Sequence, residues 1–118
     1  MSHPFECGDE TVWDAGYHSG RLYEALAGGA TGFLGVPSGL TPTPEGGCEV
    51  DPAALLTFTE RLYDHYAATR NEVIHGLVHG LLVTSLVLVE RTGGTLVLRP
   101  EHEASLGREK TALARSMG

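Results

Sequence analysis

The sequence predicts an α+β fold with three main helices, the third of them buried, and a small antiparallel sheet. Three observations support this. Apolar residues recur at helical spacing in two segments that are preceded by capping residues. A third segment, from Val73 to about Glu90, is almost continuously apolar. Two short apolar stretches flank a Gly-Asp-Glu turn near residue 9, which is typical of a β-hairpin.

The first helix is expected from about Gly16 to Phe33, with Asp14 as its N-cap. Leu22 and Leu26 are spaced for one face of this helix. Gly28 and the glycine after it lie inside the pattern, and each costs about 1 kcal/mol relative to alanine. We therefore expect the helix to bend or stop near that pair.

The segment Gly35–Gly47 is rich in proline and glycine, which predicts a long irregular loop. Cys48–Val50 is expected to form a short strand. Asp51 and Pro52 then form a strong helix start, because Asp caps free backbone N–H groups and Pro fits the first turn. This second helix should extend to about Ala68.

A capping box at Thr69–Glu72 predicts the start of the third helix. We favour a helix through about Arg91, with Gly93 as its terminator and a strand at Thr95–Leu98. Residues 86–99 also fit a β-hairpin, and that alternative stays open. Residues 1–100 are expected to form one α+β domain, followed by a polar tail or marginal helix at 101–118.

Three motifs occur in order along the chain: Trp13 after Gly-Asp-Glu-Thr, the stretch Gly35–Leu40 (GVPSGL) and the stretch Cys48–Ala54 (CEVDPAA). As a set they resemble a family of small bacterial proteins of unknown function from high-GC genomes. The chain resembles this family from Phe5 to Arg91. The resemblance implies a shared fold, and it carries no activity, cofactor or catalytic residue.

The charge balance excludes some classes of partner. The chain has 15 acidic and 8 basic residues, a formal net charge of −7. Nucleic-acid binding needs clustered cations, so we expect no nucleic-acid partner. We also expect no membrane partner, because histidines and glycines interrupt the most apolar run, which falls short of a membrane-spanning segment. The protein is predicted to be cytoplasmic.

The sharpest candidate site is formed by Glu72, His75 and His79. On a helix these residues lie within about 60° of each other, and imidazole and carboxylate groups are suitable metal ligands. The second helix could supply further ligands: Glu60, Asp64 or His65. The favoured interpretation of these three residues is nevertheless the one solvated edge of an apolar helix.

The function expected first is non-catalytic, namely association with a protein partner or as a homodimer, with no cofactor. Gly76 and Gly80, four residues apart, would allow another backbone to approach closely, either within the fold, which is the favoured use, or across a dimer. The alternative is a small-molecule or metal-dependent enzyme that uses Zn, Mn or Fe. Its site would be built on Glu72, His75 and His79, with the segment Gly35–Gly47 as a lid.

Overall fold

The computed structural model describes residues 1–118 as four helices and one four-stranded mixed sheet. The α+β class is thus confirmed, with one helix more than predicted. In chain order the elements are β1 (Ser2–Cys7), β2 (Glu10–Gly16), α1 (Tyr17–Leu34), β3 (Leu40–Thr43), β4 (Gly47–Val50), α2 (Pro52–Ala68), α3 (Glu72–Arg91) and α4 (Pro100–Met117).

The sheet is two antiparallel hairpins joined by one parallel pair of strands. Its order is β2-β1-β4-β3, and β1 pairs with β4 in parallel through Phe5 with Cys48 and Glu6 with Glu49. A purely antiparallel sheet was expected, and the difference arises because the α1 segment returns the chain to the same end of the sheet. Parallel pairing requires such a long crossover connection.

The fourth strand lies where the sequence predicted only loop. β3 occupies residues 40–43 and pairs with β4 as an edge strand. Pro42 lacks an N–H group, so a strand that contains it is tolerated only at the edge of a sheet. Because proline is otherwise typical of loops, the composition of this segment predicted a loop. The predicted strand at Thr95–Leu98 does not form. Leu96 and Leu98 instead pack partly buried against the core, with no sheet edge beside them.

The helix boundaries follow local capping chemistry. Asp51 caps α2 as predicted, accepting a hydrogen bond from the Ala54 N–H at 3.2 Å. At α3 the cap is Asn71 rather than Thr69, and its side chain accepts from two backbone N–H groups. At α1 the cap is Gly16, the last residue of β2, and the predicted cap Asp14 lies two residues earlier within that strand. The helix runs past the internal glycines and ends at Gly35, with φ +74°.

Helix α3 is buried over only part of its length. From Leu81 to Val89 nearly every residue is in the core, whereas Val73 and Leu77 near its start are exposed. It ends at Arg91 and Gly93 follows with φ +84°, which confirms the helical interpretation and excludes the hairpin at 86–99. By length and composition α3 could cross a membrane, but its second half packs as a core helix.

The C-terminal segment is a regular helix rather than a loose tail. Pro100 occupies the first turn of α4, and the helix packs on α3 with Leu106 and Met117 buried. Arg91 of α3 fastens it, donating one hydrogen bond to the Ala114 carbonyl at 3.1 Å and another to the Val12 carbonyl at 3.0 Å. One arginine thereby ties α4 to β2.

The sheet, α1 and α3 meet at an aromatic cluster. Phe5 stacks on Trp13 with ring centroids 4.9 Å apart, and Tyr23 meets both rings edge-on. The Tyr23 hydroxyl bonds the Ser85 hydroxyl of α3 at 2.8 Å. Burial raises the pKa of Tyr23 far above its usual value, so this hydroxyl stays protonated in the native protein.

Candidate functional site

The predicted metal-ligand residues on α3 are occupied with other contacts. Glu72 lies exposed in the first turn. The His75 Nε2–H donates to the backbone carbonyls of Tyr66 at 2.8 Å and Thr69 at 2.9 Å. These carbonyls belong to the end of α2, where a helix leaves its last C=O groups without partners. The imidazole of His75 therefore caps α2.

His79 faces the fourth helix instead of its two predicted co-ligands. Its Nε2 hydrogen-bonds the carboxylate of Glu109 of α4. It also lies beside Tyr66, whose ring stacks on His75 at 4.4 Å and contacts His102 edge-on at 5.5 Å. This cluster packs α2, α3 and α4 together. The pKa of Tyr66 is raised, first by burial and then by the Glu109 charge.

The candidate ligands on α2 lie apart from the α3 histidines. Glu60 and Asp64 are exposed and line a shallow pocket that also contains Arg61 and Arg99. His65 contacts the Phe33 ring at 4.7 Å. A metal site at Glu72, His75 and His79 stays a prediction, to which these contacts lend no support.

The segment Gly35–Gly47 is tied into the sheet rather than poised as a lid. It contains β3, and the Gly39 carbonyl accepts from the Asp51 N–H at 2.8 Å. A Cβ at Gly39 would lie 2.7 Å from the Leu55 nitrogen, so the backbone here is packed directly against the start of α2. The predicted lid role has no structural counterpart.

One group of three potential metal ligands does converge, and it is formed by His3, Glu24 and Cys48. It is the only group of three or more His, Cys, Asp or Glu residues in the chain whose donor atoms all lie within 4.8 Å of one another. His3 Nε2 donates to Glu24 Oε1 at 2.9 Å and lies 3.9 Å from Cys48 Sγ. The side chains of His3 and Cys48 are buried, and Glu24 is partly exposed.

The fold brings these residues together from three separate elements. His3 lies on β1, Cys48 on the adjacent strand β4, and Glu24 on α1, which packs over the sheet. Gly20 of α1 makes room for the imidazole, because a Cβ there would lie 2.8 Å from His3 Cβ and Cδ2. The sequence offered only a weak indication that His3 is buried. His3 lies two residues before Phe5, so the two side chains point to the same face of the strand.

The electrostatics of this cluster argue against a cysteine nucleophile. Burial, reinforced by the hydrogen-bonding and charge of Glu24, raises the pKa of Cys48 to about 12. A reactive cysteine needs a lowered pKa and access to substrate. Glu24 and Cys48 also approach the same nitrogen of His3, whereas a catalytic triad uses the two different ring nitrogens.

A second feature is an uncharged apolar surface on α1 and α3, here called the α1–α3 face. On α1, Leu22, Leu26 and Phe33 lie within about 40° of each other, and all three are exposed. On α3, the corresponding exposed stripe contains Val73, Gly76, Leu77 and Gly80. A groove of about 460 Å³ separates the two helices.

The groove combines projecting side chains with empty spaces. Leu22, Leu26 and Leu77 line it, being 61%, 51% and 77% exposed. A Cβ added at Gly76 or Gly80 would meet nothing within 4 Å. None of the thirteen residues lining the groove is charged, although the chain carries a net charge of −7. Contiguous exposed apolar patches of this kind mark interaction sites.

Comparison with known proteins places the chain in a family without an assigned activity. No curated protein and no solved structure matches it. The expected membership of a family of unknown function is confirmed, and the match covers the whole chain rather than ending at Arg91. The family of unknown function DUF6086 matches residues 1–118, and the protein belongs to that family.

Proposed function

We propose that this protein acts by self-association, forming a twofold-symmetric homodimer through the α1–α3 face. The observation that carries the proposal is the pairing of exposed leucines with open glycine positions on one uncharged groove. A twofold interface is built from the same patch on both subunits, so the patch must supply both projections and recesses. The α1–α3 face supplies both.

The geometry of α3 favours a second copy of the same helix as the occupant. Gly76 and Gly80 are four residues apart on its outer side, with Leu77 beside them. Small residues at this spacing let two helix axes approach closely. In an antiparallel or crossed pair of α3 helices, Leu77 of each copy would fill the space above the partner's glycines.

The charge distribution supports the same occupant. Two copies that each carry −7 repel one another, and the repulsion is smallest when the surfaces in contact carry no charge. The groove meets that condition, since its lining holds no acidic or basic side chain. A basic partner would instead be recognised by acidic side chains, which lie elsewhere on the surface.

The size of the surface is typical of a transient rather than an obligate dimer. A standard interface uses about 20–30 residues from each partner. The groove is lined by thirteen residues, and Phe33 and Val73 extend its two stripes. We therefore expect a dissociation constant in the micromolar range rather than an obligate dimer. The two free cysteines fit a reducing cytoplasm as its location.

Sedimentation velocity over a concentration series tests the proposal. We expect the wild-type chain to pass from monomer to dimer as its concentration rises through the micromolar range. Leu77→Glu should raise the dissociation constant at least about tenfold, because it places a charge in an apolar contact. The matched control is Val97→Glu, a residue 87% exposed and outside the groove, which should dimerise like the wild type.

A second variant tests the recesses without adding charge. Gly80→Leu fills the space above the glycine and improves helix propensity, so it should keep the fold and weaken the dimer. A wild-type chain that stays monomeric at every concentration overturns the proposal. Equal weakening by Leu77→Glu and Val97→Glu would show that association uses a different surface.

A further inference from the structure

We propose that His3, Glu24 and Cys48 form a binding site for one zinc(II) ion. The inference stands independently of the proposed dimer, because the cluster lies between the sheet and α1, and none of its residues lines the groove. The donors are one imidazole nitrogen, one carboxylate oxygen and one sulfur. Zinc accepts all three donor types, in tetrahedral geometry.

The distances between the donors are close to those that zinc requires. With ordinary zinc–ligand bond lengths and tetrahedral angles, nitrogen and oxygen ligands lie about 3.4 Å apart, and nitrogen and sulfur about 3.6 Å. The observed separations are 2.9 Å for His3 Nε2 to Glu24 Oε1 and 3.9 Å for His3 Nε2 to Cys48 Sγ. To hold zinc, the nitrogen–oxygen pair would open by about 0.5 Å and the nitrogen–sulfur pair would close by about 0.3 Å, while all three donor atoms already lie within 4.8 Å of one another.

The scaffold holds the donors in place before the ion arrives. His3 and Cys48 lie on adjacent strands at the centre of the sheet, and the His3 ring contacts Phe5 edge-on at 5.7 Å. Gly20 of α1 packs against His3, so closely that a Cβ there would lie 2.8 Å from His3 Cβ and Cδ2. Donors on packed strands and a helix are positioned more rigidly than donors on loops.

The charges balance when zinc binds. The Cys48 thiol loses its proton to solvent as the zinc–sulfur bond forms, and Glu24 contributes a second negative charge. The imidazole proton moves from Nε2 to Nδ1, which frees Nε2 as the ligand and ends the hydrogen bond to Glu24. Thiolate and carboxylate then neutralise the two positive charges of zinc, so no net charge is buried.

Glu24 is the most exposed of the three donors. The carboxylate is 23% exposed, whereas the imidazole is 8% exposed and Cys48 fully buried. Glu24 is thus the first ligand an incoming ion meets. A water molecule on this side would complete four-coordination, as in zinc sites with three protein ligands.

Cobalt(II) is the probe of choice, because tetrahedral cobalt with a thiolate ligand gives visible bands and a sulfur-to-metal charge-transfer band. We expect one equivalent of cobalt to produce both, and zinc to displace it. Cys48→Ser should remove the charge-transfer band and weaken zinc binding by about a hundredfold or more. Cys7→Ser, which changes the other, half-buried cysteine, should leave both unchanged.

Two further variants keep the outcome clear if Cys48→Ser fails to fold. Zinc should raise the melting temperature of the wild type, and Glu24→Gln, at a partly exposed position, should lose most of that rise. Leu77→Glu should bind zinc like the wild type, which separates this site from the dimer. The proposal is overturned if the wild-type chain gives no thiolate–cobalt band, or if Cys7→Ser rather than Cys48→Ser abolishes it.

Discussion

Gly20 is the residue whose replacement tests the packing of α1 on the sheet most directly. An alanine Cβ there would lie 2.8 Å from His3 Cβ and Cδ2 and 3.0 Å from Ala15 Cβ. Overpacking of this kind costs about 1–3 kcal/mol, while replacing glycine by alanine within a helix returns about 1 kcal/mol. We therefore expect Gly20→Ala to lower the free energy of unfolding by about 1 kcal/mol.

The same helix supplies the matched control. Gly28 also lies in α1, but a Cβ there meets nothing within 4 Å. Gly28→Ala should gain only the helix-propensity term and raise the free energy of unfolding by about 0.5–1 kcal/mol. The two substitutions are chemically identical, so their difference reports the contact with His3 and Ala15 alone.

Thermal unfolding followed by circular dichroism measures the difference. For a chain of this length, 1 kcal/mol corresponds to about 4 °C in melting temperature. Gly20→Ala should therefore melt about 6–8 °C below Gly28→Ala. If Gly20→Ala is as stable as Gly28→Ala, α1 does not sit on β1 at the distance described, and the packing of His3 would have to be revised.

Three further predictions concern the buried hydroxyls and thiols. Tyr23→Phe leaves the buried Ser85 hydroxyl without its partner and should lower the free energy of unfolding, measured in urea, by about 1–3 kcal/mol. Adding Ser85→Ala to Tyr23→Phe should recover part of this loss. Strictly additive effects of the two substitutions would contradict the hydrogen bond. The free energy of unfolding should fall as the pH rises from 9 to about 12, because the native fold raises the pKa of Cys48 to about 12 while the unfolded chain ionises its thiol from about pH 9. Cys48 contributes up to about 1.4 kcal/mol per pH unit, and Tyr23, whose pKa burial also raises, adds to the fall above about pH 10, so the slope should be smaller in Cys48→Ala; a slope unchanged in Cys48→Ala would refute the assignment. An exposed-thiol reagent should modify Cys7 in the native protein and Cys48 only after unfolding, and equal rates for the two would refute the burial of Cys48.

Elements whose signals are local were predictable from the sequence. The start of α2 depends on Asp51 and Pro52, which act on their own next few residues. The length of α3 follows from a continuous apolar run that ends at a glycine with positive φ. In both cases the signal lies within the helix itself and the residues next to it, so no knowledge of the rest of the fold was needed.

Elements that depend on distant partners were missed or misplaced. The polar composition of α4 predicts a marginal helix, but the helix gains its stability from packing Leu106 and Met117 and from the hydrogen bond of Arg91 to Ala114. Pro42 made the segment of β3 resemble a loop, because proline is tolerated in a strand only when that strand lies at the edge of the sheet, as β3 does. Neither context is encoded in the spacing of nearby residues.

The candidate site illustrates the same limit. Helical spacing correctly places His75 and His79 on α3 at neighbouring positions, but their contacts are decided by α2 and α4. The converging donors His3 and Cys48 are 45 positions apart in the chain. Only the parallel pairing of β1 with β4 makes them neighbours, and a parallel pair leaves no turn motif in the sequence.

That parallel pairing also sets the order in which the sheet should assemble. Each hairpin closes over a turn of a few residues, and isolated hairpins form within microseconds. The pairing of β1 with β4 closes a much longer loop, so it can form only after α1 and the β3–β4 hairpin are in position. The two hairpins are joined through only two residue pairs of β1 and β4, Phe5 with Cys48 and Glu6 with Glu49. Folding should therefore proceed by rapid formation of two separate hairpins and slower joining between them. In native-state hydrogen exchange, the β3–β4 hairpin should open as a unit that leaves β1–β2 protected.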